Sequence, residues 1–210
     1  MALEDYFYKY NENLTEGFIG DNKDLSIVFI LREPNSSNKE SNKFWFKEIV
    51  ENGGKNQKGK KENTYFPKLG KVACLLLDEL DKCSALKKCI YINLNPEKGG
   101  SNVGISYSKV LSAFSKKQNT ELPNRWEIIN KLPDGCRLVT VKDIYNAIKN
   151  NVDYIENKND VIKIKNQKFS SFSFENEEGS RIEVFSIYHP KARGRYAFTE
   201  DDITYLKARQ

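Results

Sequence analysis

The stretch LSIVFIL, residues 25–31, is an almost continuous apolar run. A strand with one face in water alternates polar and apolar residues, so a continuous run predicts a strand buried on both faces, as in a parallel sheet. Similar runs follow at Cys89–Leu94 and Cys136–Val141, and a last strand is predicted over Ile182–Tyr188. Because helical patterns separate these runs, the sequence predicts an α/β fold.

The helical pattern is strongest between Pro67 and Cys83, where apolar side chains recur at helical spacing after a proline suited to a first turn. Shorter helices are predicted over Leu3–Tyr10, Phe44–Val50, Tyr107–Lys117, Arg125–Lys131, Ile144–Lys149 and Asp201–Ala208. Val161–Lys165 and Phe169–Phe174 are predicted as paired strands. We therefore expect a three-layer α/β/α sandwich with a central, mainly parallel four-stranded sheet and an added β-hairpin before the last strand.

Composition narrows the classes of protein and of cofactor. The 210 residues suffice for a single domain, which we expect to span 1–210, and no stretch reaches the ~20 apolar residues of a membrane helix. The start of the chain lacks the features of a signal peptide, so we expect a cytoplasmic protein. The four cysteines form no Cys-x-x-Cys pair, and we expect no metal and no cofactor. The lysine- and glycine-rich segment 53–63 is predicted to be a flexible basic insertion.

Polar residues that suit catalysis follow three of the predicted strands. Glu33, Pro34 and Asn35 follow the first, Asn93 lies at the end of the second, and His189, the single histidine, follows the last. The carboxyl ends of parallel strands meet at one edge of a sheet, where ligands of open α/β folds bind. We therefore expect these three strand ends to lie at the same edge.

In the order and spacing of these motifs the chain resembles the uracil-DNA glycosylase superfamily. The segment ILREPN, residues 30–35, is similar to that family's first-strand motif, and YHPK, residues 188–191, is similar to its His-Pro-Ser motif. Asn93 in YIN, residues 91–93, matches the asparagine that ends the second strand. Phe66 in YFPKLG, residues 65–70, matches the aromatic residue that lies under a flipped base.

The resemblance implies a DNA glycosylase that needs no cofactor, acts as a monomer and draws a damaged base into a pocket. It implies that Glu33 directs the attacking water and that His189 donates to the departing base. Phe66, Asn93 and Asn35 would contact the base. The basic residues that follow His189 would contact DNA phosphates; they are Lys191, Arg193 and Arg195.

Other interpretations of the same residues stay open. The chain differs from the family at Glu33, which is one methylene longer than aspartate, at Arg32, which replaces a glycine, and at Lys191, which replaces a serine. A catalytically silent nucleic-acid- or nucleotide-binding protein on the same fold, or a hydrolase of small molecules, would also fit. Phe66 would then be an ordinary core residue, and Asn93 a residue of a strand-end turn.

Overall fold

The computed structural model describes residues 17–19, 25–31, 45–55, 66–94, 107–114, 124–156, 162–164, 167–169 and 171–187. Within these ranges the strands are β1 (Ile27–Leu31), β2 (Cys89–Asn93), β3 (Arg137–Val141), β4 (Tyr154–Glu156), β5 (Ile162–Ile164), β6 (Gln167–Phe169), β7 (Ser171–Glu175) and β8 (Arg181–Ile187). The helices are α1 (Trp45–Glu51), α2 (Phe66–Leu77), α3 (Lys82–Lys87), α4 (Tyr107–Ala113), α5 (Trp126–Ile129) and α6 (Lys142–Lys149).

The main sheet is mixed and has six strands, in the order β2-β1-β3-β8-β7-β4. β2, β1, β3 and β8 pair in parallel, as their apolar runs predict, and β7 and β4 extend the sheet in antiparallel pairing. The expectation of a four-stranded sheet is therefore wrong in its strand number. β4 escapes prediction because three residues are too few to display a periodic pattern.

The predicted β-hairpin is present, but its second strand has different bounds from those predicted. β5 and β6 pair in antiparallel fashion, with Ile162 opposite Phe169. The stretch Phe169–Phe174, expected as one strand, instead contributes the last residue of β6 and most of β7, and β7 pairs with β8 in the main sheet.

Helices pack on both faces of the sheet. Arg137 in β3 donates to the carbonyl of Leu76 in α2, and the thiol of Cys89 in β2 lies 3.3 Å from the carbonyl of Ala85 in α3. On the other face, the Tyr145 ring of α6 meets the Phe172 ring of β7 at a centroid distance of 5.0 Å. α1, α2 and α3 thus form one layer, and α4, α5 and α6 form the other.

The long helix expected over Pro67–Cys83 is wrong, because the chain breaks it into α2 and α3. Asp78 adopts a positive φ of 52°, which ends the helix after Leu77. Asp81 then caps α3, since its carboxylate accepts from the backbone N–H of Ser84 at 2.7 Å. Leu80, which carries the apolar spacing across this break in the sequence, is fully exposed, and the buried residues of α3 are Ala85 and Leu86.

Several expectations fall outside the described residues. These are the helices Leu3–Tyr10 and Asp201–Ala208 and most of the basic insertion. Of that insertion the structure describes Gly53, Gly54 and Lys55, which form the turn that closes α1, with the Gly54 N–H donating to the Ile49 carbonyl at 2.7 Å.

Candidate functional site

The carboxyl ends of β1, β2, β3 and β8 lie at one edge of the sheet, as the parallel register requires. Leu31 pairs with Asn93, and Val141 pairs with Ile187. The backbone N–H of Leu94 donates to the carbonyl of Leu31 at 2.7 Å, so the first two strands end together. We refer to this side of the sheet as the carboxyl edge.

Asn93 is the buried polar residue that ends β2 at the carboxyl edge. The two faces of a strand alternate, and Cys89 of the same strand turns toward α3, so Asn93, four residues later, turns toward the same layer of helices. An amide in this position has both a donor and an acceptor with which to read a base edge. The structure therefore places Asn93 at the end of its strand, as the apolar run predicts, and its contact with a base stays a prediction.

Arg125 holds the end of β2 from the residue before α5. It has no exposed surface, and its Nη2 donates to the carbonyl of Asn93 at 2.5 Å and to that of Leu94 at 3.2 Å. Its own N–H donates to the carbonyl of Ala113 at 3.0 Å, which ties the site to the end of α4. An arginine keeps its charge when buried, so the fold encloses a positive charge beside the carboxyl edge.

Sequence reasoning missed Arg125, because a charged residue at the start of a short predicted helix is normally exposed. The signal that could have indicated burial is its neighbour Trp126, which is also buried and whose indole N–H donates to the carbonyl of Phe114.

Phe66 is the first residue of α2 and lies in the core, 6% exposed. Its ring fills the space above Gly54, where an added Cβ would overlap the ring, and the Lys82 ammonium lies 5.9 Å from the ring centroid. α2 ends at the opposite side of the sheet, beside Arg137 of β3, so Phe66 begins the helix toward the carboxyl edge. The structure thus places Phe66 on the same face as Asn93, with its ring packed among protein atoms.

The other face of the carboxyl edge carries two buried hydroxyl groups. Thr140 and Ser186 are paired in register, and Thr140 Oγ1 donates to the carbonyl of Ile30 at 2.7 Å. These residues turn away from Asn93, because each is one position out of phase with the residues that face α2 and α3. Thr140 therefore stabilises the pairing of β3 with β1.

The remaining predicted site residues lie outside the described part of the chain. They are Glu33 and Asn35, which follow β1, and His189, Lys191, Arg193 and Arg195, which follow β8. By sequence Glu33 comes two residues after the end of β1, and His189 comes two residues after the end of β8.

The residues that the structure describes contain neither a cluster of metal ligands nor a membrane-spanning helix. Within those ranges, no three histidine, cysteine, aspartate or glutamate side chains converge as a metal site would require. Among the helices described above, none is long and apolar enough to cross a membrane.

Comparison of the chain with protein-family models, with curated proteins and with solved structures finds no match.

Proposed function

We propose that the protein is a DNA base-excision glycosylase, with a uracil-DNA glycosylase-like arrangement of its parallel strands, that hydrolyses the N-glycosidic bond of a damaged or deaminated base such as uracil. The observation that supports this most is the common edge reached by β1, β2 and β8, with Asn93 buried in it. The motifs that resemble the glycosylase superfamily follow these same three strands in the sequence.

The proposed chemistry divides the reaction among the three strand ends. The bond between the base and the sugar breaks, a water oxygen bonds to the sugar carbon, and the electron pair of the broken bond leaves with the base. His189 would donate a hydrogen bond to the base oxygen that gains negative charge, and Glu33 would orient the water and accept its proton. Asn93 would hydrogen-bond the base edge, which distinguishes uracil from cytosine.

The buried position of Phe66 argues against stacking of its ring on the flipped base. A base can stack only on an exposed ring face, and the Phe66 ring lies in the core against Gly54. Asn93 is fully buried as well. Base recognition in the proposal rests first on Asn93 because its amide can pair with a base edge, and Arg125 anchors its backbone carbonyl. Phe66 supports the position of α2 beside it.

The test is an assay for abasic sites on DNA duplexes that carry uracil, hypoxanthine or xanthine, under single-turnover conditions. We expect excision of at least one of these bases by the wild-type protein. His189→Ala and Glu33→Ala should each slow excision by ~10²–10³-fold, because each removes a group that acts in the transition state. Binding of the same duplex should weaken by no more than one hydrogen bond, ~0.5–1.5 kcal/mol.

Two further variants separate recognition from chemistry. Asn93→Asp replaces the amide donor by a carboxylate and should change which base is excised, whereas Glu178→Gln, at an exposed pair with Lys131, should change nothing. A wild-type protein that binds DNA and excises no base would favour the alternative, a catalytically silent nucleic-acid-binding protein. A protein that neither binds nor excises would contradict both.

A further inference from the structure

An open cleft of about 890 Å³ lies at the amino edge of the sheet, the side opposite to the carboxyl edge. Its walls come from α5, the segment after α6, β4 and the turn between β7 and β8. That turn leads into Arg181, where β8 begins, whereas the predicted residue His189 follows the other end of the same strand in the sequence.

One wall of the cleft is the edge strand β4. β4 is the last strand in the order of the main sheet, and within the described ranges it pairs only with β7. Ile155 in β4 is 69% exposed and is among the residues that line the cleft, as are the largely buried Trp126 and Phe174. Ile155 pairs with Ser173 and Tyr154 pairs with Phe174, so the Ile155 side chain turns to the face of the sheet opposite to the Phe174 ring. An edge strand with an exposed apolar side chain offers backbone groups and an apolar contact to an added strand.

The charged side chains that the structure describes in the lining of the cleft are all acidic. They are Asp153, Glu175 and Glu177, and no lysine or arginine of the described residues lines it. No ion pair within the described residues involves these three carboxylates. Three cations flank the cleft. Lys131 pairs with Glu178, and the Lys149 ammonium lies 4.4 Å from the centroid of the Tyr154 ring. Arg181 lies opposite Glu175 in the pairing of β7 with β8, and its guanidinium donates to Ser173 Oγ at 3.4 Å.

We propose that this cleft is a docking site for an extended, basic segment of a partner protein, which adds to β4 as a further strand. Backbone groups of β4 would pair with the segment, Ile155 would pack against its apolar side chains, and the three carboxylates would meet its lysine or arginine side chains. The chain as a whole carries a net charge of +5, whereas the described charged residues that line this cleft are acidic.

Three other occupants of the cleft fit less well than a basic peptide segment. A nucleic acid would bring phosphates against Asp153, Glu175 and Glu177, which is unfavourable. A second copy of this chain that paired β4 with β4 would bring two acidic clefts together, with the same result. A small polycation would satisfy the carboxylates but would leave both the strand edge and Ile155 without a contact.

The experiment measures fluorescence anisotropy of a labelled heptapeptide, KVKVKVK, titrated with the full chain, with EVEVEVE as the matched acidic probe. We expect the basic peptide to bind in a salt-dependent manner and the acidic peptide not to bind. The triple variant Asp153→Asn, Glu175→Gln, Glu177→Gln should weaken binding by about tenfold or more, because three charge pairs are lost. Ile155→Ser should weaken it as well, and Glu178→Gln should not.

Three outcomes would overturn the proposal. One is binding of the basic peptide that is equally tight in the triple variant and in Glu178→Gln, and another is no binding of the basic peptide at all. The third is complete displacement of the basic peptide by spermine, together with unchanged peptide affinity in Ile155→Ser. That result would identify a site for small cations. All variants change exposed side chains, and circular dichroism of each one checks that it is folded.

Discussion

Arg125 is a residue whose charge the fold encloses completely, and its hydrogen bonds determine where β2 ends. One amino group of its guanidinium donates to the carbonyls of both Asn93 and Leu94, which a lysine ammonium on a flexible stem would hold less firmly. Backbone carbonyls cannot be replaced by mutation, so loss of the guanidinium leaves buried acceptors without this donor. The position of Asn93 at the carboxyl edge depends on this contact.

Substitution of Arg125 should therefore reduce stability more than substitution of an exposed residue beside a short helix normally does. We expect Arg125→Met to lower the free energy of unfolding by about 2 kcal/mol or more, because buried acceptors lose their donor. Arg125→Lys should lie between Met and the wild type. Urea unfolding measures the effect, with Arg181→Met at an exposed position as the control, and equal losses at the two positions would contradict this role.

The sequence predicts the position of Asn93 and does not predict the packing around it. Asn93 ends an apolar run, and the end of a parallel strand is a local property that the run itself reveals. The burial of Arg125 and the contact of Phe66 with Gly54 both join segments far apart in the chain. No periodicity within either segment contains that information.

The turn that closes α1 and the first turn of α2 form one packed element. Gly53 and Gly54 both have positive φ, 65° and 88°, but only Gly54 faces the Phe66 ring, whereas a Cβ on Gly53 would meet nothing within 4 Å. The two adjacent glycines thus differ in a single physical respect. Backbone strain affects both positions, and steric overlap affects one.

This pair provides a matched test of how tightly Phe66 is packed. Gly54→Ala should lower the free energy of unfolding by about 3 kcal/mol, from backbone strain and overlap together, and Gly53→Ala by about 1 kcal/mol, from strain alone. Phe66→Leu combined with Gly54→Ala should recover part of the loss, which a double-mutant cycle in urea detects. Equal losses at the two glycines would show that the ring yields easily, as a base-stacking residue must.

Elements were predictable where the pattern extended over five or more residues. The four parallel strands follow from their apolar runs, while the break at Asp78 does not, because the apolar residues on either side of it keep the spacing of one helix. β4 could not be predicted because it is a strand only through its pairing with β7. Its own three residues are too few to show an alternating pattern.

Two buried thiols at the amino edge affect the stability of the whole molecule. Burial raises the pKa of the Cys136 thiol from the ordinary 9.0 to about 12, and burial raises the pKa of Cys89 well above its ordinary value. The folded state therefore keeps protons that the unfolded chain releases above about pH 9. The contribution of these thiols is complete below that pH and is lost as the pH rises toward about 12.

Stability should accordingly fall in alkali, in part through Cys136. We expect the free energy of unfolding of the wild type to drop by about 1.4 kcal/mol more than that of Cys136→Ala between pH 8 and pH 10, since the unfolded thiol ionises in this range and the folded thiol does not. Guanidinium unfolding of both proteins at each pH measures the difference. Parallel pH profiles of the two proteins would contradict the assignment.

The position of β8 between β3 and β7 has a consequence for synthesis on the ribosome. β1, β2 and β3 emerge first and can pair with one another. Among the described strands, β4 and β7 join them through β8, which ends at residue 187. Until that residue has left the exit tunnel, the nascent chain holds two partial sheets with open edges and exposed apolar faces. A chain stalled before Arg181 should therefore be a substrate for chaperones and proteases rather than a smaller folded protein.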